Sequence, residues 1–88
     1  MMRPQKRSFS IQGHRTSISL EAPFWLALKA AAAEDGATLA ALIGQIDMDR
    51  DGAGLSSAVR VWLLRRMQRR AGLPVPGDLE LPEAAAAE

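Results

Sequence analysis

Few residues of this 88-residue chain are suited to enzymatic or metal chemistry. There is one histidine, His14, and no cysteine, which excludes thiolate nucleophiles and cysteine-based zinc sites. Residues 47–52, DMDRDG, match the first half of a calcium loop, but Ala58 occupies the twelfth position, where a bidentate glutamate is required. His14 has no nucleophile or second metal ligand at a recognisable spacing. We therefore expect no enzymatic activity, no cofactor and no metal site.

Basic residues offer a different chemistry, the binding of a polyanion. The formal net charge is only +1, but residues 1–15 and residues 56–70 each carry basic side chains and no acidic one. Separated basic blocks of this kind suit a partner such as DNA. For the second block, the alternative to polyanion binding is a solvated basic end of a helix, where cations complement the helix dipole. In the first block, we expect Lys6 and Arg7 to meet DNA phosphates from a flexible arm.

One clear strand pattern, residues 15–20, precedes the first helix pattern. Ile18 and Leu20 point one way, whereas Arg15, Ser17 and Ser19 point the other way. A strand needs a partner for its backbone N–H and C=O groups. Either the upstream residues fold back as a hairpin, or a second copy of the chain supplies the same strand across a two-fold axis. We favour the second copy, because so short a chain without disulfides has little core of its own.

Upstream of that strand lies a weaker alternation with the opposite phase. Phe9 and Ile11 are odd-numbered, and the phase changes across residues 12–14, which indicates a bulge or a turn. Residues 1–12 are therefore expected to form a basic arm or an extra strand, residues 13–71 the domain, and residues 72–88 a disordered tail rich in Pro and Ala. Because no membrane span or signal peptide is recognisable, we expect a cytoplasmic protein.

Three helix patterns follow the strand, at about residues 22–35, 39–46 and 56–70. Gly36 ends the first helix and Thr38 caps the second. The predicted fold class is therefore mainly α, with three helices and one short strand per chain that pairs antiparallel across a homodimer. The apolar face of the strand and apolar side chains at helical spacing predict the dimer core, which is expected to contain Ile18, Leu20, Trp25, Leu28, Leu42, Ile43, Val59 and Trp62.

The elements come in the order strand, helix, turn at Gly36 and second helix capped by Thr38. With this order, the chain resembles the ribbon-helix-helix family, of which the Arc and MetJ repressors are members. The resemblance covers about residues 15–46, and with residues 55–60 the chain is similar to a bacterial branch that has a third helix. This resemblance implies an intertwined dimer whose two strands form a ribbon that enters the DNA major groove. By position, the base-facing side chains would be Arg15, Ser17 and Ser19, and the N–H groups around Thr38 and Leu39 would hold a phosphate.

The function implied by the resemblance is a dimeric DNA-binding protein that regulates transcription. The alternative is a similar dimer that acts as a protein-interaction or structural module without DNA. An acidic tail suits that alternative, because it could bind a protein partner; its acidic residues are Asp78, Glu80, Glu83 and Glu88. The chain also departs from the family pattern, since two of the three base-facing residues are short serines and a third helix is added.

Overall fold

Two antiparallel strands precede three helices in the computed structural model, which describes residues 2–50 and 52–73. Strand β1 spans Gln5–Ile11 and β2 spans His14–Leu20. Helix α1 spans Ala22–Glu34, α2 spans Leu39–Asp49 and α3 spans Leu55–Arg70. The predicted class, mainly helical with three helices, is confirmed. The tail predicted to be disordered lies, from residue 74 onward, outside the described residues.

Strands β1 and β2 form a hairpin with a two-residue turn. The register runs from Gln5 opposite Leu20 to Ile11 opposite His14. Gln12 and Gly13 connect the strands and both have positive φ, 50° and 81°. Two positive φ values are the requirement of a type I′ turn, whose twist matches that of the paired strands. The change of phase in the sequence therefore marks a hairpin rather than a bulge in one long strand.

The partner of β2 differs from the one that we favoured from the sequence. We expected a second copy of the chain to supply the pairing strand, whereas β2 pairs with β1 of its own chain. The reason is that the hairpin puts the odd-numbered Phe9 and Ile11 on the same face as the even-numbered Ile18, so both alternations serve one core. Arg7 likewise lies within β1 and not in a flexible arm.

A single chain closes the hydrophobic core. The inner face of the hairpin packs against one stripe from each helix, and the buried side chains are Ile11, Ile18, Leu20, Trp25, Leu28, Ala31, Ala32, Leu42, Ile43, Ile46, Leu55, Val59 and Leu63. Of the eight residues predicted for a dimer core, seven are buried here within one chain, and Trp62 is partly buried. Strand β1 and helix α3 supply the cover that we expected from a second copy.

No helix within residues 2–50 and 52–73 combines the length and the apolar character needed to cross a membrane.

Candidate nucleic-acid interface

The outward face of the hairpin gathers six polar side chains from both strands. The register places Lys6 opposite Ser19, Ser8 opposite Ser17 and Ser10 opposite Arg15. Because residues opposite each other point to the same side of a sheet, these six share one face, which we call the ribbon face: Lys6, Ser8, Ser10, Arg15, Ser17 and Ser19. All are exposed except Ser19, which is half-buried. The ribbon face contains no acidic residue.

The three residues predicted to face bases, Arg15, Ser17 and Ser19, therefore do share one side of β2. Strand β1 adds three further residues to that side, Lys6, Ser8 and Ser10, which we did not expect there from the sequence. The change of phase at residues 12–13 was the signal that could have identified them, because it puts the even-numbered residues of β1 beside the odd-numbered residues of β2.

The two cations of the ribbon face lie at its opposite ends. Lys6 is four residues from Ser10, the residue that pairs with Arg15, so the ends are about 13 Å apart along the strands. At the centre, the hydroxyls of Ser8 and Ser17 are 3.0 Å apart and share a hydrogen bond. The face is thus a short polar ribbon with a positive charge at each end.

Arg7, the second residue assigned to phosphates, points to the other side of β1. Its guanidinium carbon lies 5.2 Å from the ring centroid of Trp25. The same indole donates a hydrogen bond from Nε1 to the carbonyl of Gln5, at 2.9 Å. Stacking over Trp25 gives Arg7 a defined position while its side chain stays exposed. Lys6 and Arg7 are therefore not equivalent basic residues.

The predicted phosphate-binding residues Thr38 and Leu39 lie at the start of α2. The Thr38 hydroxyl caps the helix by accepting a hydrogen bond from the N–H of Ala41, at 3.0 Å. Thr38 is exposed, whereas Leu39 is half-buried and packs against the core. The first turn of a helix carries partial positive charge and outward-pointing N–H groups, which suits an anion.

Helix α3 is hydrogen-bonded to β2 at Ser19, on the edge of the strand that faces away from β1. The Ser19 N–H donates to the hydroxyl of Ser56 at 3.1 Å, and Nη2 of Arg60 donates to the Ser19 carbonyl at 3.2 Å. Arg60 also holds Oε1 of Glu21 at 2.8 Å and lies over the ring of Phe24. This hydrogen bond from Arg60 is the main reason that the pKa of Glu21 is below its usual value. Arg60 is thus occupied within the fold.

The basic end of α3 is tied to the end of α1. Arg66 donates to both Glu34 and Asp35, at 2.9 to 3.1 Å, and Arg70 donates to Glu34 at 2.8 Å. Hydrogen bonds from Arg70 and Arg66 lower the pKa of Glu34, and the bond from Arg66 lowers that of Asp35. Two members of the second basic block therefore serve helix packing, which leaves the ribbon face as the better candidate for a polyanion.

The half-matched calcium loop begins inside α2. Asp47, its first residue, belongs to the helix and forms an ion pair with Arg50, whose Nη1 also donates to the carbonyl of Ala53. Asp51 lies outside the described residues. Within residues 2–50 and 52–73, no three His, Cys, Asp or Glu side chains are grouped closely enough to hold a metal ion.

Comparison with known proteins relates this geometry to a family. The profile of a family described as a ribbon-helix-helix domain matches residues 4–67, which include both strands, α1, α2 and most of α3. Among solved structures, an uncharacterized protein from Bordetella pertussis Tohama I is similar, with a TM-score of 0.67 and 31% sequence identity. The similarity covers 93% of this chain and 70% of that chain. No curated protein matches the sequence.

Proposed function

The chain belongs to the ribbon-helix-helix family, and on that premise we propose that it is a DNA-binding regulator of transcription that inserts its ribbon face into the major groove. The observation that supports this proposal is the ribbon face itself, a two-stranded surface with Lys6 and Arg15 at its ends, serines between them and no acidic residue. A two-stranded ribbon fits the major groove, where base edges carry distinct patterns of donors and acceptors. Such a regulator would act in the cytoplasm.

The side chains divide into base-facing and phosphate-facing groups. Arg15 can donate two hydrogen bonds to O6 and N7 of a guanine, a contact that discriminates by about 1–3 kcal/mol. The serine hydroxyls can donate to or accept from a base edge. We assign phosphate contacts to the N–H groups around Thr38 and Leu39 and to Arg7, which position the protein without reading sequence.

A second candidate function is protein interaction without DNA. Helix α3 exposes three apolar side chains at helical spacing, Val61, Leu64 and Met67, with 47%, 57% and 55% of their surface accessible. Contiguous exposed apolar surface is typical of sites for protein partners. The family often forms homodimers. In our proposal a homodimer would use this exposed surface of α3, because the hydrophobic core of one chain is already closed.

The deciding experiment measures DNA binding by the parent and two matched charge variants. Sites are selected from a random duplex library, and affinities are measured by fluorescence anisotropy at several salt concentrations. Arg15→Ala should weaken binding to the selected site by roughly 5- to 150-fold and relax the base preference. Arg65→Ala, which removes the same charge from α3, should change the affinity by less than about twofold because it lies on another element.

The two candidate functions predict different results. If the parent shows no salt-dependent binding to any duplex, DNA binding is refuted and the interaction module is the better proposal. If Arg65→Ala weakens binding as much as Arg15→Ala, the DNA lies on α3 and the assignment of the ribbon face is wrong.

A further inference from the structure

An open, mainly apolar groove lies between the end of α2 and α3. Its volume is about 290 Å³, and its apolar walls are formed by Ile46, Ala53, Ala58, Val61 and Trp62. Trp62 is half-buried, and the guanidinium carbon of Arg66 lies 5.4 Å from the centroid of its indole ring. A groove of this volume is at the lower limit for a small-molecule site, but it is large enough for apolar side chains from a peptide segment.

Charged side chains flank this groove. Arg65 lines it from α3 and is exposed, and within residues 2–50 and 52–73 it makes no hydrogen bond or ion pair. Arg50 also lines the groove, but it is already bonded to Asp47 and to the carbonyl of Ala53. Asp49 is the one acidic residue of the lining. Arg65 is therefore the cation that is available to a carboxylate from another segment.

The tail of the chain contains a segment whose sequence matches this groove. Residues 78–81, which lie outside the described residues, read Asp-Leu-Glu-Leu, an alternation of acidic and apolar side chains. In an extended backbone, the two leucines lie on one side and the two carboxylates on the other. Pro76 and Pro82 flank the segment and leave five residues between them, too few for a stable helix. The sequence therefore favours an extended segment with one apolar and one acidic side.

The end of α3 brings this segment within reach of the groove. The N–H of Leu73 donates to the carbonyl of Gln68 at 2.8 Å, and Gly72 has a φ of 76°, so a Schellman motif turns the chain away from the helix axis. Val61 lies about 14 Å along α3 from the end of the helix. Residues 74–79 can span about 20 Å when extended. The tail of the same chain is thus long enough to return to the groove.

We propose that Leu79 and Leu81 of the chain's own tail bind in the groove between α2 and α3, beside Trp62, with the neighbouring carboxylates at the rim near Arg65. Burial of the leucines drives this contact, and the charge attraction orients the segment because exposed ion pairs add little stability on their own. The inference does not depend on DNA binding. Of the exposed apolar residues of α3, only Val61 lines the groove, so the remaining ones stay available to a second copy.

The test measures the exposure of Trp62 in the full chain by tryptophan fluorescence and acrylamide quenching. Of the two tryptophans, Trp25 is only 2% exposed, so changes in quenching report mainly on Trp62. Leu79→Ser/Leu81→Ser should shift the emission to longer wavelength and increase quenching, because the groove then opens to water. The control, Ala85→Ser/Ala87→Ser, places two serines at the same spacing in the same tail and should change neither.

Two results of this experiment would refute the proposal. If Leu79→Ser/Leu81→Ser is quenched no more than the control, the leucines do not bind beside Trp62. If the difference between the parent and the leucine variant disappears on fifty-fold dilution, the tail binds a second copy and not its own chain. A difference that is independent of concentration supports binding within one chain.

The position of the acidic side chains is tested at Ser57, which is exposed, lines the groove and lies in the first turn of α3. Ser57→Glu places a negative charge where the helix dipole favours one, so the helix should tolerate it. The same charge repels the carboxylates of the tail. Ser57→Glu should therefore show stronger quenching of Trp62 than the neutral control Ser57→Gln, and added salt should reduce the difference. Equal quenching of the two variants would mean that the acidic segment does not lie at this groove.

Discussion

Ile18 provides the sharpest test of whether one chain closes its own core. Its side chain is completely buried, although its neighbours Ser17 and Ser19 belong to the ribbon face. Ile18→Val removes one methyl group and should cost about 0.5–1.5 kcal/mol, whereas Ile18→Ala should cost about 2–5 kcal/mol because it leaves a cavity. An 88-residue chain has a total stability of about 4–13 kcal/mol. Ile18→Ala should therefore remove a large share of it.

The assay is urea unfolding followed by circular dichroism at two protein concentrations about fifty-fold apart. For a core closed in one chain, any rise of the midpoint with concentration should come from the proposed contact through α3 and should be absent in Leu64→Ala. Leu26→Ala is the control for stability, because this leucine is 67% exposed on α1, outside the surface proposed for the homodimer. Its cost should stay within about 0.5 kcal/mol.

One pattern of results would refute this reasoning. If the midpoint rises with protein concentration as much in Leu64→Ala as in the parent, the rise does not come from α3 and the core itself is shared with a second copy. The folding unit would then be a dimer, as the small size of the chain first suggested.

Three further predictions concern the hairpin turn, α2 and the ion pairs of α1. Gln12→Asn should raise the stability by about 0.5–1 kcal/mol, because Asn tolerates positive φ better than Gln; a lower melting temperature would argue against the turn. Gly44→Ala should stabilise by a similar amount, since its Cβ would meet Ile11 at an ordinary 3.6 Å; a lower melting temperature would indicate a clash. Glu34 and Asp35 have lowered pKa values, so the stability they contribute is complete above their ordinary pKa values of 4.5 and 3.8 and is lost as the pH falls through the lower folded values. The urea midpoints of the parent and of Glu34→Gln should accordingly differ most at neutral pH and converge as the pH falls through the lowered pKa of Glu34, and a constant difference would contradict the ion pairs.

The elements and the family could be predicted from the sequence, because they depend on local patterns. The alternation that ends at Leu20, the glycine after α1 and the cap at Thr38 correspond to β2, to Gly36 with φ 65° and to a hydrogen-bonded cap. The family resemblance is confirmed by the match over residues 4–67. Each of these signals extends over fewer than ten residues, so no knowledge of distant contacts was needed.

The partner of β2 could not be predicted, because the turn signal is weak. A type I′ turn usually carries Asn-Gly or Asp-Gly, whereas this chain has Gln12-Gly13. A glycine at a change of phase is equally consistent with a bulge. The small size of the chain then favours a second copy as the partner, because size alone does not reveal how much core α3 and β1 add.

The roles of the arginines in α3 were also beyond the sequence. Arg60 meets Glu21, which is 39 residues away, and Arg66 meets Glu34, which is 32 residues away. Helical spacing shows that such side chains share a helix but does not identify their partners. Without those partners, a basic block that stabilises the fold cannot be distinguished from one that binds DNA.

The small size of the ribbon face limits how selectively one copy can bind. A single bidentate arginine contact discriminates against the wrong base by about 1–3 kcal/mol. The binding free energy of a specific protein–DNA complex is more favourable than that of non-specific binding by about 4–10 kcal/mol. The ribbon face has one arginine and one lysine, and its other four residues are serines. One ribbon face therefore provides less selectivity than a typical operator complex has. A strong site would need at least two copies of the chain bound to neighbouring DNA segments. The exposed apolar side chains of α3 are available for contact between such copies.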